Sequence, residues 1–188
     1  YCFTGEQGMK RNLEVEEILG KYLEVWRWLN VNRPNEASIP TIVFMGQGEP
    51  LHNYENLSKA CEILLSKYGL SIGHQRITVS TSGYLPGLEK WSQKPLEVNL
   101  ALSLHSTFKE KRDELIPINK KFPLDEVMQK IMSIPLLKKQ FVIYEFLLLK
   151  DFNDSSEDAH ALGQFLKEKP AYINLIPFNP FPGSGLHK

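Results

Sequence analysis

The sequence is poor in several features that would place it in a particular class of protein. Its 188 residues contain only two cysteines, far apart at positions 2 and 61, so they do not form the disulfide framework of a small secreted domain. No apolar run reaches the ~18 residues of a membrane span, and no signal-peptide pattern is present. The formal net charge is zero, whereas a compact RNA-binding module usually carries a basic excess. These absences favour a cytoplasmic protein and count against a scaffold that only binds RNA.

Helical and strand patterns alternate along the chain. We expect helices at 13–29, 54–67, 84–91, 124–133 and 156–168, and strands at 41–46, 76–80, 97–104, 141–149 and 172–177. Asn12 is a plausible N-cap of the first helix. This alternation predicts an α/β fold with parallel strands and right-handed crossovers. Five strands are too few for a closed eight-stranded barrel, so we expect a partial barrel, with a flat doubly wound sheet as the alternative.

Four of these strands end in compact polar clusters. The clusters are 46–50 (Gly-Gln-Gly-Glu-Pro), 80–83 (Ser-Thr-Ser-Gly), 103–106 (Ser-Leu-His-Ser) and 177–183 (Pro-Phe-Asn-Pro-Phe-Pro-Gly). Because the carboxyl ends of parallel strands meet at one edge, the clusters are expected to share one pocket.

Each candidate residue in these clusters has a second, structural interpretation. Glu49 could accept hydrogen bonds from a ligand ammonium group, or it could lie exposed in an ordinary glycine-rich turn. Ser80 and Ser103 could bind a ligand carboxylate or ribose, or cap the following helix. His105 could contact an adenine or hold a neighbouring loop. Asn179, between two prolines, could bind a base edge or a sugar, or stabilise its own turn.

Other polar and sulfur-containing residues are less specific. Glu145 is an isolated charge in an apolar strand, and we expect it to face inward and pair with a structural Arg or Lys. Cys61 fits an apolar helix stripe and is predicted to be a core residue. Cys2 lies in a glycine-containing loop and could be the last thiolate of a cluster-binding loop. A basic group could contact phosphate or form a solvated charged segment: Lys109, Lys111, Arg112, Lys120 and Lys121.

Six ordered motifs resemble the RlmN/Cfr-type radical S-adenosylmethionine (SAM) RNA methyltransferases, and are most like the RlmN branch. They are 2–8 (Cys-Phe-Thr-Gly-Glu-Gln-Gly) with Arg11-Asn12, 46–51 (Gly-Gln-Gly-Glu-Pro-Leu), 80–83, 103–105, 112–121 (Arg-Asp-Glu-Leu-Ile-Pro-Ile-Asn-Lys-Lys) and 173–183. The resemblance covers essentially the whole chain. It implies one radical SAM core domain over residues 1–188, a partial (β/α) TIM-like barrel truncated at both ends.

The resemblance also implies the cofactors and their binding residues. A [4Fe–4S] cluster is held by a CxxxCxxC loop, of which Cys2 matches the third cysteine. Gly48 and Glu49 would bind the SAM amino group. The SAM site would be completed by Ser80, Ser103, Leu104, His105 and Asn179.

The implied activity is methylation of C2 of an adenosine in 23S ribosomal RNA, and tRNA is a further candidate substrate. Flavodoxin or ferredoxin would supply electrons to a monomeric enzyme. The methyl-carrying cysteine of the family lies beyond the position of Lys188, and the sequence begins at Tyr1 without a methionine. We therefore expect no catalytic residue within this chain and no activity from it alone. The alternatives are a Cfr-type C8 methyltransferase and a SAM-binding module without redox chemistry.

Overall fold

The computed structural model describes residues 8–35, 39–136 and 140–180. These residues contain one five-stranded parallel sheet whose spatial order equals its chain order. Its strands are β1 (Ile42–Phe44), β2 (Ile77–Thr81), β3 (Asn99–Ser103), β4 (Val142–Leu148) and β5 (Ala171–Pro177). The parallel α/β sheet predicted from the sequence is confirmed, because all four neighbouring strand pairs are parallel. Each pair is joined by a crossover connection.

Six α-helices accompany the strands within the described residues. They are α1 (Val15–Asn32), α2 (Tyr54–Leu65), α3 (Leu85–Gln93), α4 (Lys109–Leu115), α5 (Leu124–Ser133) and α6 (Ser156–Leu166). Short 3-10 turns lie at Pro50–Asn53, His74–Arg76 and Pro117–Lys120. The predicted helices are all present with ends shifted by at most three residues, and α4 is an additional helix in the segment described above only as charged. Within the described ranges, no helix is both long and apolar enough to cross a membrane.

The N-terminus of α1 differs from the expectation. The N-cap is Glu14 rather than Asn12, and the carboxylate of Glu17 accepts a hydrogen bond from the backbone N–H of Glu14 at 2.8 Å. Arg11 holds Glu17 in place through two hydrogen bonds of 2.6 and 2.7 Å. A carboxylate three residues into the helix satisfies the N-cap N–H and favours the positive end of the helix dipole, so this arrangement replaces an asparagine cap.

The sheet has an apolar face toward the helices and a polar inner face. Residues paired across a parallel ladder point to the same side, and the registers place Ser103, Glu145 and Asn174 in one row. Ser80 lies on the same side, because it pairs with Ala101, two residues before Ser103. Polar side chains are therefore gathered on the inner face, near the carboxyl ends of the central strands.

The helix-facing side forms the main core. Ile77, Val79, Leu100, Leu102 and Tyr144 are at most 1% exposed there. The predicted inward stripe of α2 is confirmed, including Cys61, whose thiol pKa is raised to about 12 by burial, as expected for an unreactive core residue. By contrast, no residue of α1 is fully buried.

Glycine allows a close approach within this core. A Cβ atom at Gly87 in α3 would lie 2.5 Å from the Cβ of Leu51 and 2.6 Å from its backbone oxygen. Helix α3 therefore packs directly against the 3-10 turn that follows Glu49, and this contact holds the first polar cluster over the sheet.

Candidate functional site at the carboxyl ends of the strands

The loop after β1 has an unusual backbone. Gly46, Gln47 and Gly48 have φ angles of 78°, 55° and 152°. A Cβ atom at either glycine would meet no other atom within 4 Å, so the loop faces open space. The two glycines therefore allow a backbone conformation that most residues avoid, at an exposed position where a ligand could approach the main chain.

The carboxylate of Glu49 connects the first two loops. One oxygen accepts a hydrogen bond from the backbone N–H of Leu51 at 3.1 Å. The other accepts the backbone N–H and the hydroxyl of Ser82, at 2.9 and 2.8 Å. Glu49 is therefore not a freely exposed turn residue. Because a carboxylate offers about four lone-pair sites, it retains capacity for one more donor.

Glu145 lies at the centre of the inner face. Its carboxyl is 6% exposed and accepts a hydrogen bond from the hydroxyl of Ser80 at 3.3 Å. Burial raises the pKa of Glu145, and hydrogen bonds from Ser80 and Asn174 partly oppose this shift. The inward orientation is confirmed. The expected Arg or Lys partner is wrong for the described part of the chain, where neutral side chains solvate this carboxyl.

His105 is 2% exposed and has a left-handed φ of 58°. Its Nδ1 accepts a hydrogen bond from the backbone N–H of Leu147 at 3.1 Å, so the proton of the neutral ring is on Nε2. Burial, and secondarily the charge of Arg112, lowers the pKa of His105 to about 3. The imidazole is therefore neutral at physiological pH and anchors the loop after β3 to β4, while its contact with an adenine stays a prediction.

Sequence reasoning missed Asn153, which is 1% exposed. Its amide donates hydrogen bonds of 2.7 Å to the backbone oxygens of His105 and Leu147 and accepts one of 2.8 Å from the N–H of Leu149. A signal was present, because Asn153 lies in a polar segment directly after the fourth strand, as the other clusters follow theirs. The side chain joins the loops after β3 and β4.

The basic group of α4 and its following turn does not act as one surface. Arg112 is 1% exposed and donates to backbone oxygens, so neither of the two alternatives, a phosphate contact or a solvated position, holds for this residue. Lys111 binds the buried Asp158 at 2.6 Å, and Lys109 binds Asp113 at 2.8 Å. Lys109 is exposed but is held by Asp113, whereas Lys120 and Lys121 are exposed in the turn that follows α4, so a phosphate contact is still a prediction for these two lysines.

The remaining candidates occupy different environments. Leu104 is completely buried, and its backbone N–H donates to the oxygen of Glu145 at 2.9 Å. Asn179 is exposed two residues beyond β5. Cys2 lies outside the described residues. Within those residues, no three His, Cys, Asp or Glu side chains come together as a metal site.

No family model matches the chain, but individual relatives do. It is 41% identical over its whole length to the dual-specificity RNA methyltransferase RlmN 2 of Myxococcus xanthus, and 43% identical over 97% of its length to a probable RlmN of Aquifex aeolicus. A solved structure, a radical SAM methyltransferase from Sphaerobacter thermophilus, superposes with a TM-score of 0.86 over 99% of the chain at 33% identity. Over nearly its whole length, the chain is similar to the RlmN family of radical SAM methyltransferases.

The chain spans about half the length of these relatives, from 50% to 52% of the two RlmN proteins and 54% of the solved chain. The resemblance inferred from the six motifs is therefore confirmed at the level of the RlmN family.

Proposed function

We propose that the intact protein is a radical SAM methyltransferase that methylates C2 of an adenosine in 23S ribosomal RNA, and that tRNA is a second substrate. Residues 1–188 are its radical SAM core. Support comes from the RlmN relatives, which are named a dual-specificity RNA methyltransferase in Myxococcus xanthus and a probable one in Aquifex aeolicus. The observation that carries the proposal is that the predicted SAM-binding motifs meet at one edge of a parallel sheet, the usual location of active sites in such folds.

The chemistry of the donor set fits SAM. The Glu49 carboxylate has room for one more donor, as an α-ammonium group requires, and Gly48 beside it leaves the backbone open. Ser103 is a hydroxyl residue of the inner face, suited to the ligand carboxylate or ribose. The hydroxyl of Ser80 donates to Glu145 and keeps its lone pairs for a ribose hydroxyl. The neutral ring of His105 carries no positive charge that would repel the SAM sulfonium.

The iron–sulfur cofactor is assigned more indirectly. We propose that Cys2 is one of three cysteines that hold a [4Fe–4S] cluster, because it occupies the matching position of the motif. With SAM, such a cluster supplies the radical chemistry that an adenine ring carbon requires, since C2 is not nucleophilic. The residues of this chain bind and orient SAM, and the buried inner face limits access of water. Flavodoxin or ferredoxin is the proposed electron donor to a monomer.

The test uses the intact protein, reconstituted with iron and sulfide without oxygen. It is incubated with SAM, dithionite and unmodified ribosomal RNA or tRNA, and the digested nucleosides are analysed by mass spectrometry. We expect 2-methyladenosine from both RNAs and none from a Cys2→Ser variant, which retains the rest of the sequence. Formation of 8-methyladenosine would instead support the Cfr-type alternative. Absence of both a cluster and SAM cleavage would overturn the radical mechanism and favour a simple SAM-binding module.

A second experiment separates SAM binding from catalysis. Glu49→Gln removes the charge that would face the SAM ammonium group. Its single amide oxygen can still accept from Ser82, while its amide nitrogen then faces the N–H of Leu51. We expect weaker SAM binding, by about tenfold for the loss of one charge-assisted hydrogen bond. An unchanged dissociation constant by calorimetry would remove Glu49 from the proposed SAM site.

A further inference from the structure

A buried arginine lies behind the two central loops of the site. Arg112 is the fourth residue of α4 and is 1% exposed, among the largest side chains that are completely enclosed. Burying a guanidinium group is costly unless its N–H groups are satisfied by oxygen acceptors. An enclosed arginine at this position therefore requires an explanation from its contacts.

The guanidinium of Arg112 binds the backbone of two different loops. One terminal nitrogen donates to the oxygens of Ser103 and Leu104, at 2.9 and 2.8 Å. The other donates to the oxygen of Ser82 at 3.0 Å. Because the guanidinium is planar and rigid, these bonds fix the distance between the end of β3 and the loop after β2.

Both ends of this bridge continue to residues of the candidate site. Ser82 presents its N–H and hydroxyl to Glu49, while its oxygen is held by Arg112. On the other side, the N–H groups of Leu104 and His105 donate to the backbone oxygen of Glu145. Arg112 therefore connects two sets of hydrogen bonds into one continuous network, which runs from the loop after β1 to β4.

The surrounding backbone is shaped to admit the guanidinium. Gly83 has a left-handed φ of 105°, and a Cβ atom there would lie 3.4 Å from a terminal nitrogen of Arg112 and 3.2 Å from the side chain of Val127. A larger residue would be strained by the φ angle and would press on these neighbours. The Ser82-Gly83 pair therefore provides both an acceptor and the space for the arginine.

We infer that Arg112 is a positioning residue of the SAM site, which sets the loop bearing Ser82, and through Ser82 the carboxylate of Glu49, against the end of β3 at Ser103. This inference rests on the proposed function, because it requires that one SAM molecule contacts residues on both sides of the Arg112 bridge. Its enclosure excludes direct contact with an RNA phosphate. A lysine would retain the positive charge. Its single ammonium nitrogen could not donate to the oxygens of Ser103, Leu104 and Ser82 at once, as the two terminal nitrogens of the planar guanidinium do.

The test compares Arg112→Lys and Arg112→Met with the unsubstituted intact protein. The matched control is Lys109→Met, which removes a positive charge from an exposed site on the same helix. SAM and RNA dissociation constants, cluster absorbance, KM and kcat are measured. For Arg112→Lys we expect the dissociation constant and the KM for SAM to rise about tenfold or more, from the loss of charge-assisted hydrogen bonds. RNA affinity and cluster content should remain unchanged.

Hydrogen exchange tests the positioning role of Arg112 without a measurement of catalytic turnover. In Arg112→Lys, amide exchange should accelerate in residues 82–83 and 104–105 while the amides of residues 77–81 and 99–102 stay protected, which shows a folded sheet with released loops. If Arg112→Met does not fold, Arg112→Lys decides the question.

Three results would contradict a positioning role of Arg112 in the SAM site. SAM binding equal to that of the unsubstituted protein would overturn the positioning role and leave the proposed function intact. Weakened RNA binding with unchanged SAM binding would assign Arg112 to the RNA instead. Failure of the unsubstituted protein to bind SAM would overturn the proposed function and this inference with it.

Discussion

The side-chain amide of Asn153 offers a quantitative test of how the loops around the site are held. It makes three hydrogen bonds of 2.7 to 2.8 Å, to the oxygens of His105 and Leu147 and from the N–H of Leu149. Asn153→Ala deletes all three within a buried region. At about 1 kcal/mol per bond, with a further penalty for backbone groups left without a partner, we expect a loss of about 3 to 5 kcal/mol of local stability.

Native-state hydrogen exchange of the Leu149 amide measures this loss directly, because its N–H is the one bound by Asn153. A loss of 3 kcal/mol corresponds to roughly 100-fold faster exchange, at about 1.4 kcal/mol per factor of ten. Asn30→Ala is the control, since Asn30 is an exposed asparagine on α1 that bonds only to the carbonyl of its own helix turn. Its effect on Leu149 should be less than about twofold.

Asn153→Asp tests the direction of each bond. The variant keeps an oxygen for the Leu149 amide but turns an acceptor toward the two carbonyl oxygens that Asn153 donates to. It should be less stable than Asn153→Ala at pH 7. Burial beside carbonyls raises the pKa of the new carboxyl, so the native state retains its proton at a higher pH than the unfolded state. Stability relative to the wild type therefore recovers as the pH falls.

Exchange of the Leu149 amide within about threefold of the wild-type rate in Asn153→Ala would show that Asn153 does not hold these loops, since roughly 1 kcal/mol of local destabilisation alone predicts a larger change. Equal stability of Asn153→Asp and Asn153→Ala at every pH would contradict the assigned bond directions.

Two further predictions concern the pH dependence and the packing. The pKa of His105 is about 3 in the native state and about 6.5 when unfolded, so the unfolded state alone takes up a proton between these values. Stability should fall by about 2 kcal/mol from pH 7 to pH 5, and His105→Asn should remove this part of the decrease in urea titrations. Gly87→Ala should destabilise by about 1 to 3 kcal/mol because its Cβ would overlap Leu51. The control Gly163→Ala, with open space around it in α6, should be neutral or stabilising by up to about 1 kcal/mol in thermal denaturation; equal effects of the two would contradict the close approach.

The alternating fold was readable from the sequence because the buried strands are short, carry apolar residues at alternate positions and end in polar residues. β2 and β3 are buried at every position, and the predicted segments 76–80 and 97–104 contain nearly all of their residues. The missed helix α4 has the sequence Lys-Glu-Lys-Arg-Asp-Glu-Leu, in which one apolar residue marks no periodic face. Its position is determined by burial of Leu115 and Arg112, and a buried arginine gives no apolar signal.

The candidate site also has a part that the sequence predicts and a part that it does not. The polar clusters that carry Glu49, Ser80, Ser103 and His105 could be located from local order alone, since each lies at or directly after the end of a strand. The partners of these residues could not. Ser82 and Glu49 are 33 residues apart, and Asn153 and the loop oxygen it binds are 48 residues apart.

The sequence by itself determined the parallel α/β class, the strand ends that carry polar residues and the resemblance to the RlmN family, because these depend on local pattern and motif order. Only the tertiary structure decided that Glu145 is solvated by serine and asparagine, that His105 is buried and neutral, and that Arg112 lies under the loops rather than on the surface. The physical reason is that the charge state and role of a polar side chain depend on burial and on partners brought from distant parts of the chain.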